Sequence, residues 1–410
     1  VANGGSRRSG ARALGDTTAA MMHRGMTTIL EVITGFGIIA SLVYYVAAMI
    51  AARRFAVRAQ QPPPPRPKIL PRVAILKPLR GRGERLLSNL TSYLELDYPR
   101  AEYFFAVSGY DDRAAEVPCI LRAQYKFRPM TMVVGPSACS NKKVGKLVRM
   151  AERATKAQIF ILSDADISVE RDHLQRLVSE LCADDKIGIV TCAYRANHAG
   201  SLASRLEALF INTDFAPQVM LSEAIEPMRY AFGATIGIKR EALDAIGGFE
   251  RLKNLLADDY HLGRLVTEAG YQVRLSSSIV TTASEEQHFR DFWHRQLRWA
   301  RTFRTTRPFS LATIFIHGPF WALLFLLASG FSLLSFAALV LVAATRVAMS
   351  RYMLCSVLGL PEQANEAWLA PIKDLLMTAI WFASLAGNEV EWGGRRLRIL
   401  RGGIMREVNG

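Results

Sequence analysis

At 410 residues the chain has room for one domain of ordinary size and a set of membrane segments, not for a multidomain array. Its net charge is +15, half of it is hydrophobic, and its five cysteines (Cys119, Cys139, Cys182, Cys192, Cys355) show no paired spacing. That excludes a zinc ribbon and suits a reducing compartment, and the lack of an interleaved aromatic–basic stripe argues against nucleic acid as a partner.

Residues 1–26, rich in Gly, Arg and Ala, read as a disordered tail, part of it an extension upstream of Met21 or Met26. Residues 27–52 read as a transmembrane anchor. Positions 32–52 hold no charged side chain, enough for a helix to cross a hydrocarbon core. The span is too long for a signal peptide and no small-residue cleavage site comes after it. Arg53, Arg54 and Arg58 stand directly beyond it, and the positive-inside bias then puts the domain on their side of the span in the cytoplasm. Residues 53–72 form a linker stiffened by the proline run within Gln60–Pro67.

From Val73 strands and helices alternate. Strands are expected at Val73–Lys77, Tyr103–Val107, Thr131–Val134, Gln158–Leu162, Ile187–Cys192 and Ile236–Lys239. Helices are expected at Glu84–Leu94, Asn141–Lys156, Asp172–Leu181, Ser201–Ser222, Ala257–Ala269 and His288–Arg304. Such alternation predicts an α/β, Rossmann-like domain over residues 73–308, with a mostly parallel sheet and ligands at the strand C-terminal ends. Residues 309–390 read as a C-terminal membrane region. Positions 309–345 carry no Asp, Glu, Lys or Arg and suit a hairpin of two spans turning near Ser329-Gly330. The segment Trp368–Asn388 contains Lys373 and Asp374, which at that depth must face protein or water. A full third span would put Arg395, Arg396, Arg398 and Arg401 outside. The charge rule therefore favours a partly re-entrant or interfacial third segment and a basic cytoplasmic tail over 391–410.

Three acidic clusters and one cationic–aromatic motif carry the chemistry. Asp164-Ala165-Asp166 comes after a buried strand, and two carboxylates at that spacing can hold magnesium or manganese together with a diphosphate. A helix cap is the bland alternative. Asp111-Asp112 comes after an early strand, where Asp112 can accept hydrogen bonds from a nucleotide base or simply belong to a polar turn. Asp258-Asp259 opens a helix, either to complement its dipole or, through Asp259, to act as a general base on a sugar or lipid hydroxyl. Arg295, Arg298 and Trp299 share one helix. The guanidinium groups suit phosphate oxygens and the indole offers an apolar platform, against an interfacial Trp–Arg belt as the alternative. Lys143, near a helix start, can pair with a phosphate or lie on a solvated face. Gly233, in the glycine-spaced segment Phe232–Gly237, allows close backbone approach to a ligand.

Assembled in this order, these residues resemble the membrane-bound GT-A glycosyltransferases, and most closely the ceramide glucosyltransferase family. The likeness includes Ile75–Gly81 (with Lys77), Glu95–Pro99, Ser108–Asp112, Asp164–Asp166, Ala257–Tyr260, Arg295–Trp299 and the tail Trp392–Gly403. The resemblance implies a GT-A catalytic domain. It makes Asp259, Arg298, Trp299 and Arg295 catalytic, and Lys77, Asp112, Lys143, Asp164, Gly233 and Asp258 substrate-binding. Asp164 and Asp166 would hold a divalent metal. The composition and the His294–Trp299 form look bacterial and are similar to glycosyltransferases of hopanoid biosynthesis. That implies inverting transfer of one hexose or N-acetylhexosamine from a UDP-sugar to a membrane lipid, a hopanoid such as bacteriohopanetetrol or a ceramide, at a bacterial inner membrane. Ceramide enzymes carry a His before Pro where this chain reads Thr213-Asp214-Phe215-Ala216-Pro217, a departure that points away from ceramide. A processive polysaccharide synthase shares the acidic sites, but its closing motif begins with Gln rather than Arg295. A non-catalytic membrane scaffold of this fold is the remaining alternative.

Overall fold

The computed structural model describes residues 6–408 apart from 82, 84, 138, 308, 309 and 401, with side chains from Met21 onward, His23 excepted. Glu84, Arg401 and residues 1–5 thus lie outside the described residues. One helix runs Ser6–Gln60. The tail expected to be disordered therefore continues, from Ser6, the helix of the anchor.

The strands are β1 (Val73–Pro78), β2 (Ala101–Val107), β3 (Met130–Val134), β4 (Ile159–Ser163), β5 (Ile167–Ser168) and β6 (Ile187–His198). They continue with β7 (Thr235–Lys239), β8 (Gln272–Ser284), β9 (Glu389–Trp392), β10 (Arg395–Ile399) and β11 (Met405–Glu407). Among the described residues, one sheet has the order β3-β2-β1-β4-β7-β6-β8-β5. Its β3-β2-β1-β4 half is parallel, β7 is antiparallel to both neighbours, and β6 is parallel to β8. In β1 the alternation of the strand sends Ala74 and Leu76 to one apolar core and Val73 and Ile75 to the other. Both faces of the sheet are therefore covered, which explains the unbroken apolar run of this strand.

The strand order reverses at β1, with β2 on one side and β4 on the other. That is the topological switch point, where the loops leaving the strand C-termini part and leave a crevice. The loop after β4 is Asp164-Ala165-Asp166.

Beyond the domain, Leu333–Val357 and Pro361–Leu385 are each long and apolar enough to cross a membrane, as is Arg24–Gln60. The chain turns at Ser329-Gly330 as expected, with Gly330 at φ 62°. The segment before the turn, however, is broken into Ser310–Ile316 and Gly318–Ala328, inclined at 68°. The broken segment is thus at 310–328 and not, as expected, at 368–388. The tail, an antiparallel sheet β9-β10-β11, packs on the α/β domain: Leu256 N donates to Gly403 O at 3.0 Å and Met405 N to Asn254 O at 2.9 Å.

Lys373 and Asp374 face protein. They meet Arg346 of the preceding span and Asp214 in one fully buried cluster. Arg346 Nε lies 2.7 Å from Asp374, Lys373 Nζ lies 2.9 Å from Asp374, and both cations also bind Asp214. Asp214 lies in a π turn, Ile211–Phe215, within the long helix 202–225.

Candidate active site

A cavity of about 760 Å3 opens at the switch point, and Lys143, Asp164, Asp166, Gly233, Asp258 and Asp259 line one side of it. Lys143 is the hub of that side. Its Nζ lies 2.6 Å from Asp164 Oδ1 and 3.8 Å from Asp258 Oδ2. Asn141 caps the Lys143 helix by accepting from Val144 N at 3.1 Å, and its amide donates to Asp258 Oδ1 at 3.3 Å. One cap residue therefore fixes both the lysine and the second carboxylate pair. Gly233 N donates to Asp259 Oδ2 at 2.8 Å. A methyl group at Gly233 would stand 3.2 Å from Lys143 Nζ, 3.3 Å from Asp259 and 3.5 Å from Asp164, so glycine lets the three charges converge.

Burial pushes the Asp258 carboxyl up to about 6, against the pull of Lys143, and neighbouring Asp259 adds to the rise. Burial raises Asp259 as well, opposed by Lys143 and by the backbone N–H groups of Tyr260 and Gly233. Asp166 rises through burial and through its neighbour Asp164, opposed by the hydroxyl of Thr282, which donates to it at 3.0 Å. Burial works against a charged Lys143, but Asp164 and Asp258 outweigh it and hold the ammonium firmly protonated.

The opposite wall is one face of the helix Phe289–Thr306. Arg295, Arg298, Trp299, Thr302 and Thr306 succeed one another along that face and all line the cavity. Burial, then repulsion from Arg295, lowers the Arg298 guanidinium to about 10. Arg295 is held by Glu207 at 2.9 Å, whose side chain is only 2% exposed and also accepts from Ser284 at 2.5 Å and from Gln287. Trp299 stacks on Phe210 with ring centroids 5.9 Å apart. The helix turns its Phe292 and Gln296 the other way, into the protein.

Two of the expected site residues sit elsewhere. Lys77 is fully buried behind the Asp164 loop, where its Nζ donates to Ser163 Oγ (3.1 Å) and Asp164 O (2.8 Å) and lies 3.5 Å from the Tyr93 ring centroid. It cannot touch a ligand in the cavity. It holds the loop from beneath, with burial lowering its basicity. Asp112 is outside the cavity lining, and its Oδ1 accepts from Gly81 N (2.8 Å) and Ala114 N (3.0 Å), tying the loop after β1 to the loop after β2. Glu207 belongs to the site although no motif in the sequence marks it. Its one signal is that of an acid within the apolar stretch Leu202–Phe210 after Ser201.

Asp164 and Asp166 are hard oxygen donors brought together with too few cations to satisfy them, which fits a divalent metal. Among the described residues no third His, Cys, Asp or Glu joins them. Their site suits an ion that completes its shell with ligand phosphates and water.

The family model described as glycosyl transferase family 21 matches residues 33–405. Ceramide glucosyltransferase 3 of Caenorhabditis elegans is 25% identical over 57% of this chain and 50% of its own length. Ceramide glucosyltransferase 1 of the same animal is 24% identical over 69% of this chain and 61% of its own. A probable glycosyltransferase, YdaM, of Bacillus subtilis is 25% identical over 57% and 56%. The chain thus spans about half to three fifths of the length of the curated relatives it matches. Among solved structures, the mannosyltransferase PcManGT from Pyrobaculum calidifontis, in complex with GDP-Man and Mn2+, superposes with a TM-score of 0.53 at 19% identity. The match covers 84% of this chain and 99% of that one, and it bears on the fold alone.

Proposed function

The chain belongs to glycosyl transferase family 21, and from that membership we propose that it moves one hexose or N-acetylhexosamine from a UDP-sugar to a hydroxyl of a membrane lipid, with inversion. One observation carries the reading: a single cavity joins a carboxylate pair at the sheet's switch point, a second pair held by the Asn141 side chain and the Gly233 backbone N–H, and an arginine–tryptophan helix face. The helix with that face leads to the apolar segments, so a lipid hydroxyl can reach the cavity from the bilayer side.

Asp259 takes the proton of the acceptor hydroxyl. Its raised basicity and its fixed hydrogen bond from Gly233 N suit a general base. The acceptor oxygen forms its bond to the anomeric carbon on the face opposite the diphosphate. The bond from that carbon to the diphosphate oxygen breaks, and its electrons leave with UDP. Lys143 and Arg298, both in the cavity wall, stabilise the charge that grows on the leaving group. Arg295, paired with Glu207, orients that wall. Asp164 and Asp166 would hold a magnesium or manganese ion, which would supply further neutralisation of the diphosphate when bound.

For the acceptor we favour a polyhydroxylated hopanoid over ceramide. The position before Pro217 where the family's ceramide enzymes carry a His lies close to Asp214, which here is committed to Arg346 and Lys373. Arg53 and Arg54, exposed at the end of the first span, support a cytoplasmic catalytic domain at a bacterial inner membrane.

The test uses purified full-length protein, bacterial lipid extract, and labelled UDP-glucose or UDP-N-acetylglucosamine. Mass spectrometry of the lipid phase is expected to find a single added sugar, lost in excess EDTA and restored by manganese. Label confined to a polymer, or undiminished transfer in EDTA, would overturn the corresponding part.

A further inference from the structure

One residue beyond the last membrane-length helix, Trp392, lines the catalytic cavity. Trp392 ends β9 and pairs with Arg395 at the start of β10, across Gly393-Gly394. Both glycines have positive φ, 61° and 72°, as a tight two-residue hairpin turn requires. The hairpin lies between two parts of the catalytic domain. On one side Arg80, in the loop after β1, donates to Gly393 O at 2.9 Å. On the other, Arg304 donates to Gly387 O at 2.9 Å, and Arg301 to Glu389 O. Beneath it Leu255 bridges to Ile404, so the strand-like segment entering Asp258-Asp259 is paired with the tail.

Leu256, Val390, Leu397, Ile399 and Met405 bury a small apolar core, and Trp392 is only half packed against it. The rest of the indole lines the cavity, together with Arg80. Nothing in the hairpin's own packing requires a tryptophan whose free face looks into the cavity. We propose that Trp392 is a substrate-contacting residue, and that with Arg80 it covers the nucleotide-sugar donor. The inference rests on the glycosyl-transfer reading above. The donor is favoured over the lipid because the turn beside Trp392 is latched by Arg80 to the loop after β1, at the switch point, whereas the contacts to the helix 289–306, on the lipid side, are made by Gly387 and Glu389 at the far end of β9. An indole offers the apolar face that sugar C–H groups stack on, and a guanidinium suits phosphate oxygens.

The experiment compares Trp392→Ala, Trp392→Phe and wild type as full-length protein. It reads donor KM, acceptor KM, melting temperature, and direct binding of UDP-glucose and UDP-N-acetylglucosamine by calorimetry. Trp392→Ala is expected to raise the donor KM and weaken donor binding by about tenfold, leave the acceptor KM in place, and keep the melting temperature. Trp392→Phe is expected to recover most of the loss. An unchanged donor KM, a change in acceptor KM alone, or a loss that tracks the melting temperature and is not recovered by Phe would each overturn the proposal. Wild type that transfers sugar while Trp392→Ala does so equally sinks this inference alone. Wild type that binds neither nucleotide sugar sinks the glycosyl-transfer reading with it.

Discussion

Two clusters of mixed charge stand in this protein and behave in opposite ways. In the cluster between the membrane helices, Arg346 and Lys373 meet Asp214 and Asp374, every charge has its counter-charge in contact, and none of the four is exposed beyond a few per cent. In the cavity the charges are unequally matched. Asp164, Asp166, Asp258 and Asp259 have only Lys143 in ion-pair contact on one wall, while Arg298 stands on the other beside an Arg295 already held by Glu207, and Arg80 and Arg307 complete the cationic lining. A buried set that neutralises itself needs nothing further and serves to fix geometry. A set left unequally matched holds electrostatic energy that only a ligand with both signs can relieve, such as a cation bound to a diphosphate. Counting partners therefore distinguishes a ligand site from a structural one where residue type alone does not.

The comparison breaks first at Asp259. Asp259→Asn is expected to lower kcat by about 10²–10⁴-fold while leaving donor binding and melting temperature in place, since burial disfavours its charge to begin with. Turnover assays beside thermal melts check this, and a collapse of stability would mean the cavity charges are structural after all. Asp374→Ala should do the reverse. It strands Arg346 and Lys373 with only Asp214, at a cost of about 3–5 kcal/mol, read as a fall in the melting midpoint in detergent. The protein that remains folded should keep its donor KM. Replacing the pair together, Lys373→Met with Asp374→Leu, leaves Asp214 with Arg346 and should cost less than the single change. A double variant as unstable as the single one would refute the view that neutrality sets the cost.

The sequence shows some of this directly and hides the rest for physical reasons. Asp164-Ala165-Asp166 is legible because a buried strand delivers its next residues to a fixed edge of the sheet. The face shared by Arg295 and Arg298 is legible from helical spacing alone. Lys77 misleads: it sits in a motif beside the crevice, but strand alternation and the depth of β1 turn its ammonium beneath the Asp164 loop, toward Ser163 and Tyr93. Asp112 looks free in the sequence, yet two backbone N–H groups already claim one of its oxygens. The destination of Lys373 and Asp374 depends on Asp214 and Arg346, and Asp214 stands so far back along the chain that no local pattern displays the pairing. The tail is different. Glu389–Ile399 alternates around Gly393-Gly394, a short-range hairpin signal, and its basic content draws attention away from that period.

The finest distinction falls on Lys143, which belongs to the unequally matched cluster yet pairs with Asp164 and Asp258 and feels the charge of Asp259. In the proposed mechanism Asp259 acts as an ionised base beside Asp258, whose carboxyl is raised to about 6. The rate kcat/KM is therefore expected to fall as the pH drops through about 6. Lys143 pulls both carboxyls down. Lys143→Met removes that pull, so the acid limb should move to higher pH, and loss of the charged contact to the diphosphate should cost about 10–100-fold in kcat/KM at neutral pH. A lysine that serves the carboxylates alone would move the limb and leave the rate above it in place. A pH profile of the variant against wild type separates the two, because the pull on the acids sets the position of the limb and the contact to the diphosphate sets the rate above it.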